Sequence, residues 1–310
     1  MDTNALMDRW SSFKQDVPDS VDILELRRLS VDDLQRRLRR LLKPSGEACG
    51  RNFEQGQWTT HDDRTFVQLA QGASAVVYHA SGAMKLHAGL APMEALFKEP
   101  EGKGAHIQRG EACLKQLAVH ELLGRGDSLA FERLWQVKAA GADREGRRSE
   151  PVLCRAVAAF RQHVQGIPVL GPASVAVQMA GEGLLDGVTL HLRGPASETI
   201  DKAKVLAPER AARALIQQLG QLVDGRGKAG DARLESRDGL RFGYYSLGKR
   251  KSQRLLAPVY VASVEVTHEQ VSQAYMLVVS ATEKNYLPLN PPGSESVVNA
   301  VGKLASRKCC

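Results

Sequence analysis

The sequence predicts an α+β fold in which antiparallel sheets each pack on a helix, arranged as two tandem modules behind an N-terminal helical segment. Three observations carry that expectation. Strand-like stretches come in runs and do not alternate singly with helices, which is the pattern of antiparallel sheets. A helix followed by such a run occurs twice, from about residue 108 and again from about residue 207. A chain of 310 residues with 43% hydrophobic residues can bury a real core, and its length favours two domains over one. The expected divisions are a helical segment at 1–50, a β-meander with the first module at 51–206, the second module at 207–290 and a tail at 291–310.

The first 45 residues read as helical. Ser30 followed by Asp33 makes an N-terminal cap, and Leu34, Leu38, Leu41 and Leu42 then share one face. Arg36, Arg37, Arg39, Arg40 and Lys43 fill the rest, and Pro44 is expected to stop the helix. From Gln57 to Leu90, short alternating runs punctuated by Gly72 and Ser81-Gly82 predict a β-meander. Residues 98–108 read as a polar connector. Residues 110–124 read as one helix with Leu114, Leu117, Ala118 and Leu122 inward and Gly124 as its stop. Strands follow at 131–140 and 151–164, joined by a charged turn, and at 173–180 and 187–194, joined by the turn 181–186. Pro208 and Glu209 open the strongest helix, with Leu215, Leu219 and Leu222 as its stripe and Gly225 as its end. A polar loop leads to three last strands at 240–247, 257–267 and 272–281, and residues 297–310 read as a loose tail.

One stretch is distinctive: Ala159-Phe160-Arg161-Gln162, then Gly166-Ile167-Pro168-Val169-Leu170-Gly171, then an alternating strand around Val175 and Val177. It reads as a strand, a tight Gly-Ile-Pro turn and a second strand, with Gly171 allowing a close approach. Phe160, Arg161, Gln162, Gly166, Pro168, Val169 and Gly171 resemble the fungalysin/thermolysin propeptide motif: an aromatic-Arg-Gln strand, G-x-P-V-x-G, and an alternating strand. The helix at 208–223 and the strands after it are similar to the PepSY module that follows in those propeptides. The resemblance covers roughly residues 105–285. It implies cystatin/PepSY-like modules and a non-catalytic protein that inhibits or chaperones a peptidase, or binds an extended peptide. The binding residues it implies are Phe160, Arg161, Gln162, Gly166, Ile167, Pro168, Val169 and Gly171. The resemblance is to the propeptide alone, with no peptidase domain expected in residues 286–310, and it leaves the first 100 residues or so unexplained.

The residues complete no catalytic pattern, so no enzyme, metal or cofactor is expected. A zinc helix needs H-E-x-x-H, whose i,i+4 spacing sets two imidazoles on one side of a metal. His120-Glu121 begins it, but Gly124 stands at the second ligand position. His79 and His87 flank a turn without a cysteine or carboxylate cluster to join them. No G-x-S-x-G elbow, P-loop or G-x-G-x-x-G is present, and a spacing of nine sets Cys154 and His163 on opposite strand faces. Five cysteines without C-x-x-C spacing predict neither a disulfide framework nor a zinc knuckle. The net charge of +7 comes without a nucleic-acid module pattern, so the expected partner is a protein or peptide. A peripheral membrane or lipidated protein is the alternative, using the basic helix at 31–43 and the ending Arg307-Lys308-Cys309-Cys310. An unrecognised hydrolase is a second alternative. Arg125-Gly126-Asp127 is read as a chance match to an integrin tripeptide. The opening residues lack the apolar core of a secretory signal, so a cytoplasmic protein is expected, with a mature secreted form left open.

Overall fold

The computed structural model describes residues 3–13, 15–98, 101–194, 196–224, 233–236, 238–268 and 271–289. The chain is a mixed α+β protein with mostly antiparallel strands. In order along the chain are α1 (Asn4–Ser11), β1 (Ser20–Leu26), α2 (Val31–Ala48), β2 (Gly56–Thr60), β3 (Arg64–Leu69), β4 (Ser74–Tyr78) and β5 (Met84–His87). Then come α3 (Lys103–Gln116), β6 (Ser128–Ala139), β7 (Val152–Val164), β8 (Ile167–Leu170), β9 (Val175–Met179), β10 (Leu185–Leu190) and β11 (Ala196–Lys204). The remainder is α4 (Pro208–Asp224), β12 (Arg233–Glu235), β13 (Arg241–Tyr245), β14 (Leu255–Leu256), β15 (Pro258–His268) and β16 (Val271–Ser280). Among the described residues no helix is long and apolar enough to cross a membrane.

Two compact units divide the chain, and neither is one continuous stretch. The larger comprises residues 22–201 and 243–256, the smaller residues 1–21, 202–242 and 257–310. In the larger unit the strands run β8-β7-β9-β10-β5-β4-β3-β2, with β6 on the other edge of β7. Helices α2 and α3 cover this sheet, and their leucines meet the inward residues of the strands. Leu34 and Leu38 of α2 and Leu114 of α3 join Val77, Val177 and Val188 in one apolar cluster. A separate antiparallel pair sets Leu24 and Glu25 of β1 opposite Leu256 and Leu255 of β14. In the smaller unit α4 packs on β15 and β16, whose ladder runs from Val259–Ser280 to His268–Val271. Its core holds Leu215 and Leu219 of α4, Trp10 of α1, and the Phe242 and Tyr260 rings.

Several local expectations are corrected. Residues 20–26 form a strand, because Val21 and Ile23 alternate into the interior and the segment finds a partner in β14. Helix α2 runs through Pro44 to Ala48; the extra turn is held by burial of Ser45 and Gly46 and by the Arg51 amide donating to the Gly46 carbonyl at 2.8 Å. Helix α3 starts at Lys103, inside the stretch read as a connector, and stops at Gln116. It breaks where Ala118 turns left-handed at φ +49°, since Leu117 and Val119 are both drawn into the core. Strands β8 and β11 are additional to the four expected between α3 and α4. The meander, the β6–β7 and β9–β10 pairs, α4 and the strands β13, β15 and β16 stand as read, while β12, inside the stretch read as a polar loop, and β14 are additional to them. The stop at Gly225 and the tail at 297–310 lie outside the described residues.

Candidate functional site

The distinctive stretch folds as the hairpin β7–β8, but its turn is Gln165-Gly166 and not Gly-Ile-Pro. Both turn residues have positive φ, 52° and 79°, as a two-residue hairpin loop requires. Ile167 and Pro168 therefore belong to β8, where Pro168 sits opposite His163. Phe160 is buried edge-to-face against Phe131, and Val169 is buried as well. Arg161 is an internal clamp. Its Nη2 donates to both Glu132 carboxylate oxygens at 2.5 and 2.6 Å, and its Nη1 donates to the Val169 and Pro172 carbonyls at 2.8 and 2.9 Å. Gly171, at φ +117°, lets the chain pass so close to the Ser246 carbonyl that a Cβ would sit 2.6 Å from it. Gly166 is exposed, and Ile167 and Pro168 are half-buried.

Gln162 reaches furthest. Fully buried, it donates from Nε2 to Asp127 Oδ2 at 2.8 Å and to the Arg193 carbonyl at 3.1 Å, and its Oε1 accepts from the Arg193 amide at 2.9 Å. Both backbone groups of Arg193 are thus bracketed by one side chain. Asp127, the acid of the Arg-Gly-Asp triplet, is spent inside this network and also accepts from the Gly124 amide at 3.1 Å.

Beyond that bracket the Arg193 side chain lines a cleft of about 540 Å³ in the larger unit. The segment after β1 delivers Arg27 and Arg28 to it, α2 delivers Arg37, and the segment before β14 delivers Arg254. Glu25 is the single acidic lining residue, 3.7 Å from Arg254. Arg193 is only 2% exposed, and burial brings its pKa down to about 10, which leaves it charged at neutral pH. Its Nε donates to Ser246 Oγ at 2.7 Å, while Nη2 donates to the Leu247 carbonyl and lies 3.4 Å from His191 Nε2. Buried His191 is pushed down to about 4 by desolvation, and then by the charges of Arg193 and Lys249. Arg37 is lowered from its ordinary value by burial first; Asp33 opposes that, while Arg27 and Arg40 add repulsion.

A second feature is the outer edge of β6. This strand of 12 residues pairs with β7 and, among the described residues, with no other strand. Trp135 and Val137 on β6 and Val152 on β7 are exposed large apolar residues, with the Arg133 guanidinium 5.8 Å from the Trp135 ring centre. The basic helix α2, by contrast, buries its leucine face in the core, so that face is not available to insert into a bilayer. His120 and Glu121 lie on a short 3₁₀ turn, and among the described residues no three His, Cys, Asp or Glu side chains are grouped to hold a metal. Cys49, Cys113 and Cys154 are free and buried.

No family model matches the chain, and no curated protein matches it either. Among solved structures it is similar to an uncharacterized protein from Eubacterium rectale, at 10% identity and a TM-score of 0.55 over 87% of each chain. That likeness shows a shared fold. The cleft arginines were not legible beforehand: they are spread from Arg27 to Arg254, and the β1–β14 pairing, the packing of α2 and the Gln162 bracket bring them together.

Proposed function

We propose that this protein is a propeptide-like binding module that takes an extended peptide or a peptidase segment along the free edge of β6. The observation that carries the reading is that edge: a long strand paired on one side, with Trp135, Val137 and Val152 standing exposed beside it. An added strand gains main-chain hydrogen bonds along an open edge, and side-chain contacts on alternate residues supply selectivity. Two features support the cystatin/PepSY-like part of the reading. Each unit packs a helix on antiparallel strands, α3 on β6, β7 and β9 and α4 on β15 and β16. The residues resembling the propeptide motif also build a β-hairpin, with Arg161 and Gln162 as its internal ties. In this reading those residues shape the sheet that presents the edge.

Trp135 is an internal reporter, since Trp10 is fully buried and Trp58 is half-buried. Titration with an array of extended peptides should shift the tryptophan emission to the blue, and a thermolysin-type peptidase should be slowed by the bound protein. Trp135→Lys places a charge on the edge, a device that blocks strand addition, and should weaken peptide binding at least about tenfold. Equal binding by Trp135→Lys and the native chain, or no binding across the array, removes the proposal.

A further inference from the structure

We propose that the arginine-lined cleft of the larger unit is a binding site for a phosphomonoester carrying an apolar body. The reasoning begins with Arg193. A buried guanidinium costs several kcal/mol unless an anion compensates it. Here Nε and Nη2 are taken by neutral acceptors, and Nη1 has no hydrogen-bond acceptor among the described residues. No carboxylate pairs with Arg193 among the described residues either. The side chain cannot drift away from this position, because Gln162 holds its backbone and Ser246 its Nε. The protein has built a fixed, buried cation at the wall of a cavity, and the compensating charge has to come from elsewhere.

The surroundings define what that charge is. Arg27, Arg28, Arg37 and Arg254 face the same cavity, against Glu25 alone. One carboxylate would leave most of this charge unmatched. A phosphomonoester carries about −1.5 to −2 charges and three strong acceptor oxygens. Guanidinium forks match such oxygens in pairs, and that geometry favours arginine over lysine for the task. Apart from the polar His79, Ser81, Ser252 and Gln253, the remaining side-chain walls are mainly aliphatic, with Leu29, Leu34, Met84, Leu122, Leu190 and Leu192 among them, so the ester's other end meets hydrocarbon. The cleft volume of about 540 Å³ lies within the size range of small-molecule sites. A phosphate head and an apolar body fit both halves of this lining. Such a group can belong to a soluble ester or to a lipid headgroup, and the chemistry of recognition is the same.

The test uses the full chain and calorimetric titration with phenyl phosphate, inorganic phosphate and phenylacetate at constant ionic strength. Phenyl phosphate should bind with a Kd below about 1 mM, at least tenfold tighter than phenylacetate and tighter than inorganic phosphate. Arg193→Gln should abolish binding. Because that variant could fail to fold, Arg37→Gln and Arg254→Gln serve beside it: both side chains reach solvent, and each should cost about tenfold with the circular dichroism unchanged. Vesicles of phosphatidic acid in phosphatidylcholine distinguish the source. Sedimentation with them, lost in Arg37→Gln, assigns the phosphate to a lipid headgroup; binding of phenyl phosphate without sedimentation assigns it to a soluble ester. Equal affinity for phenyl phosphate and phenylacetate, native affinity in both rim variants, or no heat at about 10 mM ligand overturns the proposal. Trp135→Lys should leave phenyl phosphate binding intact, which separates this site from the strand edge.

Discussion

His191 offers a direct measure of how the interior around Arg193 is charged. Its imidazole is 4% exposed, and its pKa falls from 6.5 to about 4 through burial, with Arg193 and Lys249 adding repulsion. The folded protein therefore holds it neutral, while the unfolded chain takes up a proton as the pH drops below 6.5. Between pH 6.5 and about 4 the unfolded state binds more protons, so stability falls as the solution is acidified. Below about 4 both states are protonated and the loss is complete. At ~1.4 kcal/mol for each pH unit, the whole window is worth about 3 kcal/mol. His191→Gln removes the titration while keeping an acceptor for the Arg193 Nη2 group. Urea unfolding followed by circular dichroism at pH 7 and pH 4.5, on both proteins, isolates the effect, because every other titrating group is common to the pair. The native chain should lose about 2–3 kcal/mol more than the variant between those two pH values. Parallel losses would show that His191 is protonated in the folded protein and that the buried, cationic surroundings assigned to it are wrong.

Three further changes probe the framework. Gln162→Leu keeps the volume but strands the Arg193 amide and carbonyl and removes one donor to the Asp127 carboxylate; a loss of about 2–4 kcal/mol is expected in urea unfolding, together with weaker phenyl phosphate binding although Gln162 does not line the cleft. Gly171→Ala forces a Cβ onto the Ser246 carbonyl at a left-handed φ, and should cost about 3 kcal/mol by the same measurement. Arg155→Met leaves the buried Asp186 carboxylate without the guanidinium 2.6 Å away and frees the Ala91 and Glu94 carbonyls that the same side chain caps. A loss of about 3–5 kcal/mol is expected, and faster hydrogen exchange around residues 91–97 should accompany it.

Periodicity determined much of this protein. The alternation in β9 and β10, the leucine stripe of α4, and the runs of strands that make it α+β are local patterns, and local patterns are written in consecutive residues. The hairpin at Gly166 was legible for the same reason, though its turn lies one step earlier because Gln165 also accepts a left-handed backbone. Element boundaries were decided by tertiary packing. Pro44 reads as a helix stop, yet burial of the following turn outweighs the hydrogen bond it removes, and α3 breaks at Ala118 with neither glycine nor proline at that position. The charged cleft was beyond any reading of the chain. Arg27, Arg37, Arg193 and Arg254 look like ordinary surface arginines in sequence, since nothing local marks one of them as buried. Electrostatic interaction depends on separation and burial through space, and both are set only when β1, α2, the end of β10 and the segment before β14 are folded against one another.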